Sequence, residues 1–173
     1  MGLYLMANGP APTTVSQVAV TTGTALKTML QVKLGGSTNQ TAKIVEWGIS
    51  FDGSAAATPI AVELLTTGTV KATITEFVAA DIINLTDPNA AAVTDDFPFA
   101  FTAAGDESGY TATAEGTITA TRMFDVQYIA PTNQYVKQFP LGREPMFRGD
   151  EYLRIRVKAG AAVNCYCYLI IEV

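Results

Sequence analysis

Few side chains in this sequence are suited to covalent chemistry. The chain contains no histidine, so the usual proton shuttle near neutral pH is missing and a serine or cysteine nucleophile would lack its normal base. Glu46 and Glu63 occupy the polar faces of predicted strands and could be proposed as a glycosidase pair, which needs carboxyl groups about 5–9.5 Å apart. Nothing else in the sequence distinguishes them. We therefore predict a protein that is not an enzyme and that uses no cofactor.

The two cysteines, Cys165 and Cys167, are separated by one residue in a predicted strand. Their side chains would lie on the same face, about 6.5–7 Å apart along the strand, which is too far for a disulfide in that geometry. Two thiols without histidine or further cysteines do not complete a zinc site. We predict buried structural thiols and no metal site.

The tripeptide Arg148-Gly149-Asp150 matches a sequence that integrins recognise in animals. Here it comes immediately before a predicted strand, where Gly-Asp forms an ordinary strand-entry turn. We interpret the tripeptide as a turn and assign it no binding function.

The composition indicates a single domain with a low-charge surface. A chain of 173 residues can bury a substantial core. Charged residues make up 16% of the chain, against about 25% in ordinary globular proteins. Either another subunit covers part of the surface, or Thr, Ser, Asn and Gln keep it soluble. The net charge of −5 argues against a nucleic-acid partner, which would require a basic surface.

Acidic residues are concentrated between Lys71 and Arg122, a stretch without any basic residue. The acidic residues of this stretch are Glu76, Asp81, Asp87, Asp95, Asp96, Asp106, Glu107 and Glu115. We interpret Val78 to Asp96 as a long solvated loop with room for one helical turn. The spaced acidic loop with an internal Gly and a terminal Glu that binds calcium is not present.

The sequence predicts no membrane partner. No run approaches the roughly 18 apolar residues of a membrane span. The first residues lack the cationic start and the apolar stretch of a secretion signal, so we expect synthesis in a cytoplasm.

Alternation of apolar and polar residues predicts strands along most of the chain. In the segment from Lys43 to Phe51, for example, Trp47 shares one face with other apolar residues and is predicted to be a core anchor, an exposed ligand platform being the alternative. About eight or nine strands follow one another at roughly 8–12-residue spacing. This pattern predicts an all-β, antiparallel β-sandwich that is jelly-roll-like.

The first residues are predicted to form a segment separate from the sandwich domain. Residues 1–14 contain Gly, Pro and Ala without periodicity and are predicted to form an extended N-terminal arm, followed by a single β-sandwich domain over 15–173. Because Leu3, Tyr4, Leu5 and Met6 are apolar, the arm should lie across its own sheet or reach a neighbouring subunit. We favour the neighbouring subunit.

Three segments carry a resemblance to a known family: VEWGISFDG from Val45, PTNQYVKQFPLGREP from Pro131, and RGDEYLRIRVKAGAAVNCYCYLIIEV from Arg148. In these segments the chain resembles the small accessory capsid proteins of tailed bacteriophages, which are the decoration or cement proteins. Many of them have a jelly roll or a related β-sandwich. The likeness covers most of the chain from Val45 onward and includes no catalytic signature.

The resemblance implies a structural virion protein on the outer surface of an icosahedral capsid. Such a protein would hold neighbouring subunits of the major capsid protein together, commonly as a homotrimer. We predict contacts from two groups, because aromatic and Arg side chains suit interfaces. The predicted contact residues are Leu3, Tyr4 and Met6 in the arm, and Tyr135, Phe139, Arg143 and Phe147 in the proline-broken segment. The alternative for the second group is that its residues cap the end of the sandwich.

Two other function classes remain open from the residues alone. A carbohydrate- or receptor-binding module would place exposed aromatic residues around a shallow groove, with Trp47 or Tyr110 as the platform. A non-viral oligomeric scaffold would form the same trimer without affinity for capsids.

Overall fold

The alternating segments form strands in the computed structural model, which describes residues 2–54, 58–94, 97–101 and 107–173. These residues contain thirteen strands and a short 3₁₀ helix at Ala79–Asp81. The strands are β1 (Leu3–Ala7), β2 (Val20–Thr21), β3 (Lys27–Lys33), β4 (Thr41–Asp52), β5 (Ile60–Thr66), β6 (Thr73–Glu76), β7 (Ile83–Asn84), β8 (Gly109–Ala114), β9 (Arg122–Ile129), β10 (Gln134–Gln138), β11 (Met146–Arg148), β12 (Tyr152–Lys158) and β13 (Asn164–Glu172).

The described strands form two antiparallel sheets. The seven-stranded sheet has the order β10-β4-β13-β1-β7, with β11 also beside β4 and β2 beside β13. The six-stranded sheet has the order β6-β8-β3-β12-β5-β9. The prediction of an all-β antiparallel sandwich is therefore confirmed. The strand number exceeds the predicted eight or nine mainly because β2, β7 and β11 have only two or three residues, too few to show an alternation.

Eight strands follow the order of a jelly roll. They are, in chain order, β1, β3, β4, β5, β9, β10, β12 and β13. In one sheet these strands have the order β1-β13-β4-β10, which are strands 1, 8, 3 and 6 of the eight. In the other sheet the order is β3-β12-β5-β9, which are strands 2, 7, 4 and 5. This interleaving is that of a double-sheet jelly roll. Residues 67–121 form an insertion between β5 and β9, and its strands extend both sheets beside β3 and β1.

Apolar side chains fill the space between the two sheets. Trp47 is fully buried there, which confirms its prediction as a core anchor. Cys165 and Cys167 are also buried on the inward face of β13 and form no disulfide, as predicted. Asn8 extends the pairing of β1 with β13, because its side-chain amide accepts from the Cys167 N–H at 2.9 Å and donates to the Cys165 carbonyl at 3.1 Å.

The first residues belong to the sheet. Leu3–Ala7 is strand β1, which lies between β13 and β7, and Gly2 and Val173 exchange backbone hydrogen bonds of 2.8 and 2.9 Å. We had expected the arm either to lie on its own sheet or to reach a neighbouring subunit, and we preferred the second alternative. Leu3–Ala7 lies in its own sheet, which corrects that preference. The alternation was hidden because the outward residues Leu3 and Leu5 are as apolar as the inward residue Met6.

Three residues of the acidic stretch, Asp95, Asp96 and Asp106, lie outside the described residues. The predicted helical turn is present at Ala79–Asp81. Within the described part of the chain, no helix has the length and apolar character needed to cross a membrane.

Candidate functional site

The outer face of the six-stranded sheet carries ion pairs on β5 and β12 and is partly covered by the insertion, while Met123 and Tyr128 on its edge strand β9 are exposed. Arg156 pairs with Glu63 at 2.6 Å, and Arg154 pairs with Glu115 of the insertion at 3.3 Å. The Arg154 side chain is fully buried and also donates to the Val70 carbonyl. Burial lowers the pKa of Arg154 to about 10, and the Glu115 carboxylate opposes this shift. The part of this face around Arg154 and Arg156 is therefore occupied by contacts within the chain.

The outer face of the seven-stranded sheet, here called the open face, is different. Along β13 the buried residues alternate with partly exposed ones, so Tyr166, Tyr168 and Ile170 point outward. Cross-strand partners share a face, and Leu5 lies opposite Ile170 while Val136 and Tyr168 both lie opposite Gly48. Antiparallel sheets usually turn polar side chains toward water. These outward apolar and aromatic side chains make the open face a candidate binding surface.

One part of the open face is an apolar strip, defined as Leu3, Leu5, Ile83, Leu85 and Ile170. Leu5 pairs with Ile170 on one side and with Ile83 on the other, so these three residues form a row across the sheet. Leu85 joins the strip because its N–H donates to the Leu3 carbonyl at 2.7 Å. Ile83 and Leu85 are 37% and 44% exposed.

A second part is a tyrosine groove, defined as Ser50, Gln134, Val136, Tyr166 and Tyr168. These residues border a depression of about 270 Å³ on β4, β10 and β13. The rings of Tyr166 and Tyr168 have centroids 6.2 Å apart and planes inclined at 33°. An adjoining depression of about 350 Å³ shares Ser50 and Gln134 and adds Thr132 and Asn133.

Two contacts hold the Tyr168 ring across β4. A Cβ atom at Gly48 would lie 2.5 Å from Cε1 of Tyr168, so only glycine leaves room for the ring in this position. The Tyr168 hydroxyl donates to Oε1 of Glu46 at 2.6 Å. Burial, followed by this hydrogen bond, raises the pKa of Tyr168 above its ordinary value. The phenol therefore stays protonated at neutral pH and keeps its bond to Glu46.

Strand β10, which carries one wall of the groove, is fixed to the other sheet through Asp125. This carboxylate on β9 accepts from the Tyr135 hydroxyl at 3.0 Å and from Lys137 at 3.2 Å. Burial and then the bond to Asp125 raise the pKa of Tyr135 to about 12. Tyr135 and Lys137 alternate with Gln134 and Val136 along β10. Anchoring the first pair therefore turns the second pair toward the groove.

Of the contact residues predicted in the arm, the structure places one on the open face. Leu3 belongs to the apolar strip, whereas Tyr4 packs edge-to-face against Phe99 with ring centroids 5.3 Å apart. Met6 is fully buried in the core. The alternation of β1 turns its side chain inward, so Met6 offers no side-chain surface to a partner and that prediction is corrected.

The second predicted group is also divided. Phe147 is fully buried opposite Ala42, so it cannot contact a partner through its side chain. Tyr135 and Phe139 are partly buried against the core. These three positions agree better with the alternative that the group closes the end of the sandwich. Arg143 is exposed and is the predicted contact residue of this group that a partner could reach.

Sequence reasoning missed Leu141, which is 97% exposed. It occupies a turn in which the Arg143 N–H donates to the Pro140 carbonyl at 2.9 Å and Gly142 has a φ of 79°. Glycine at this position is typical of a type II turn. The Pro-Leu-Gly-Arg order was the available signal, because it predicts that leucine lies at the tip of the turn.

Sequence reasoning also missed the two tyrosines of the groove. Of the two predicted ligand platforms, Trp47 is fully buried and cannot contact a ligand. Tyr110 is less suitable than the groove tyrosines, because its ring packs against Phe77 with centroids 5.7 Å apart. The signal lay in the order Cys-Tyr-Cys-Tyr. Once both cysteines are predicted to be buried, strand alternation places Tyr166 and Tyr168 outward together.

The residues first considered for chemistry do not come together. Glu46 and Glu63 project from the outer faces of opposite sheets, where Tyr168 and Arg156 bind them. Within the described ranges, no three His, Cys, Asp or Glu side chains are close enough to hold a metal ion. Gly149 is buried in a turn after β11, and its N–H donates to the Gln40 carbonyl at 2.8 Å, which confirms the predicted turn.

Comparisons of this chain with protein-family models, with curated proteins and with solved structures find no match. Its function has to be inferred from its own residues, and the open face is the feature from which we infer it.

Proposed function

We propose that this chain is a structural virion protein that attaches to the outer surface of an icosahedral phage capsid. In this proposal it stabilises contacts between neighbouring subunits of the major capsid protein and acts as a homotrimer. The observation that carries the proposal is the apolar strip on the open face. The resemblance of three sequence segments to decoration proteins supports the choice of partner.

The apolar strip supports adhesion because its five side chains would gain from leaving water. Full burial of an exposed aliphatic side chain contributes about 1.5–3 kcal/mol. The strip residues are already partly buried, so each would contribute about 1 kcal/mol. Association itself costs about 4–15 kcal/mol. One strip therefore binds weakly, and a single protomer should not remain on a shell.

A trimer on a repeating lattice overcomes this weakness. Once one protomer is attached, the other two strips are held at a high effective concentration near equivalent sites on the shell. We assign the contact between protomers to the protruding turn with Leu141 and Arg143. A leucine at the tip of a turn can enter a pocket of the next protomer, and three such heterologous contacts can close a ring.

Co-sedimentation with undecorated phage heads tests the proposal. The wild-type protein is expected to bind heads at a saturable, fixed ratio per shell. The double variant Ile83→Gln/Leu85→Gln changes exposed positions of the strip and should weaken binding at least tenfold. Met123→Gln is the matched control, because Met123 is 64% exposed on the opposite sheet. This control should bind as the wild type does.

Two results would count against the proposal in different ways. If no protein sediments with the heads, the proposed partner is wrong. If the strip variant and the Met123→Gln control bind equally well, the surface is wrong even though the partner is right. Circular dichroism of each variant establishes that the sandwich is intact before binding is compared.

A further inference from the structure

The tyrosine groove is centred away from the apolar strip. Tyr166, Ser50 and Gln134 form one row across β13, β4 and β10, and Tyr168, Gly48 and Val136 form the next row. The strip lies on β1, β7 and the end of β13. Both surfaces use β13, where Tyr168 and Ile170 are two residues apart, but the groove extends over β4 and β10 and the strip over β1 and β7. A ligand in the groove therefore meets residues that the strip does not use.

The floor of the groove is aromatic and is held in place. Tyr166 and Tyr168 lie side by side, and the Glu46 hydrogen bond and the space over Gly48 fix the Tyr168 ring. The faces of aromatic rings carry negative charge density. The C–H groups on one face of a pyranose ring carry a small positive charge and are attracted to such a surface. This floor suits the face of a pyranose chair that presents axial C–H groups.

The surroundings of the floor are polar and neutral. Ser50, Thr132, Asn133 and Gln134 present hydroxyl and amide groups in the groove and its adjoining depression. Hydroxyl and amide groups both donate and accept hydrogen bonds, as the hydroxyl groups of a sugar do. Among the described residues that border these two depressions, none carries a charge. An anionic ligand would find no cationic side chain there.

The dimensions favour a short chain of small rings. The groove of about 270 Å³ is slightly smaller than the range of about 300–1,000 Å³ for drug-sized ligands. The second depression of about 350 Å³ adjoins it and shares Ser50 and Gln134. One ring on the tyrosines and a second ring among the polar side chains would occupy both.

We infer that the tyrosine groove binds a neutral oligosaccharide of pyranose rings. One ring stacks on Tyr166 and Tyr168 beside Val136, and the next forms hydrogen bonds with Gln134 and Asn133. A proline-rich peptide also binds to aromatic grooves, but its backbone offers mainly carbonyl acceptors and would leave the acceptor groups of the groove unpaired. The inference does not depend on attachment to a capsid.

The test is to titrate the whole chain with defined soluble probes and to monitor each titration by nuclear magnetic resonance. The neutral probes are trisaccharides of glucose, galactose, mannose and N-acetylglucosamine. Trigalacturonate is the anionic probe and decaproline is the peptide probe. At least one neutral trisaccharide should shift the ring signals of Tyr166 and Tyr168, and trigalacturonate and decaproline should not.

Substitutions assign the binding to the groove. Tyr166→Ala should weaken binding of the trisaccharide at least tenfold. Tyr128→Ala is the matched control, because Tyr128 is 76% exposed on the opposite sheet, and it should bind as the wild type does. Gln134→Ala changes an exposed side chain and should weaken binding severalfold. It serves as the second variant if Tyr166→Ala does not fold.

Three outcomes would overturn the inference: no neutral trisaccharide binds, only trigalacturonate or decaproline binds, or the groove variants bind as the Tyr128→Ala control does. The capsid experiment gives an independent result. Tyr166→Ala should still sediment with phage heads if the apolar strip attaches the protein, so either proposal can fail while the other holds.

Discussion

Asp125 shows how a single carboxylate positions one wall of the tyrosine groove. It lies on β9 of one sheet and holds Tyr135 and Lys137 on β10 of the other. Burial alone would raise the pKa of Asp125. The hydrogen bonds from Gln127, Tyr135 and Lys137 outweigh burial and lower the pKa below its ordinary value. Folding therefore favours the ionised form of this residue.

The lowered pKa of Asp125 predicts a specific loss of stability in acid. An unfolded aspartate has a pKa of about 3.9. The stabilisation by Asp125 is fully present above that pH and is lost as the pH falls through the lower pKa of the folded state. Asp125→Asn does not titrate, so its free energy of unfolding should fall less than that of the wild type between pH 5 and pH 2. Denaturant titrations at several pH values measure both curves.

Parallel curves for the two proteins would show that the acid sensitivity arises elsewhere. The opposite sign, in which the wild type gains more stability than Asp125→Asn in acid, would contradict the hydrogen-bonding arrangement itself.

At the scale of elements, the insertion is held to the six-stranded sheet by Glu115. Its carboxylate accepts from the Thr28 hydroxyl at 2.6 Å and pairs with the fully buried Arg154. Removing one partner of a buried pair leaves an uncompensated charge, which costs about 3–5 kcal/mol. We expect Glu115→Ala to lower the free energy of unfolding by about 3 kcal/mol, measured by urea titration.

Glu63→Ala provides the comparison for this prediction. Glu63 pairs with Arg156 on the same outer face, but its side chain is more exposed than that of Glu115. The expected loss is about 1 kcal/mol. Equal losses in the two variants would show that burial of Arg154 does not increase the cost of removing its partner. The insertion would then be held mainly by its backbone pairing.

The strand edges explain why association is expected to use a face. β9 is the longest strand at a sheet edge. A register shift between Leu64 and Leu65 leaves Phe124 without an opposite residue. β6, β7 and β10, the other terminal strands of the two sheet orders, have five residues or fewer. Short or bulged edges protect sheets from pairing with other chains.

The strands that could be predicted from the sequence are those with one apolar and one polar face. Trp47 and the thiols of β13 follow from alternation, because a polar outward face marks the inward one. β1 could not be predicted in this way, since Leu3 and Leu5 make its outward face apolar too. Nor could β2, β7 and β11, which depend on pairing with strands that are distant in sequence. Met6 and Phe147 were predicted as contacts for the same reason, because an apolar residue type does not reveal its direction.

At the scale of the whole molecule, the proposed trimer depends on the Leu141 turn. Sedimentation velocity of the wild-type protein should show a trimer of the 18.3 kDa chain. Leu141→Asp should shift the population to monomer, because a charge cannot enter an apolar pocket without a large desolvation cost. The substitution lies at a fully exposed tip and should leave the unfolding midpoint unchanged. A trimer that persists in this variant would place the contact elsewhere, and a monomeric wild type would exclude it.

The reactivity of the buried thiols can be used to measure transient opening of this sandwich. Cys165 and Cys167 are the chain's two cysteines, and both lie on the central strand β13. Burial raises the pKa of Cys167 and keeps it in the unreactive protonated form. A thiol reagent can therefore modify the chain only when the two sheets part at β13 or β13 leaves its sheet. The labelling rate, followed with and without a ligand on the open face, would reveal how strongly occupancy of the surface rigidifies the interior beneath it.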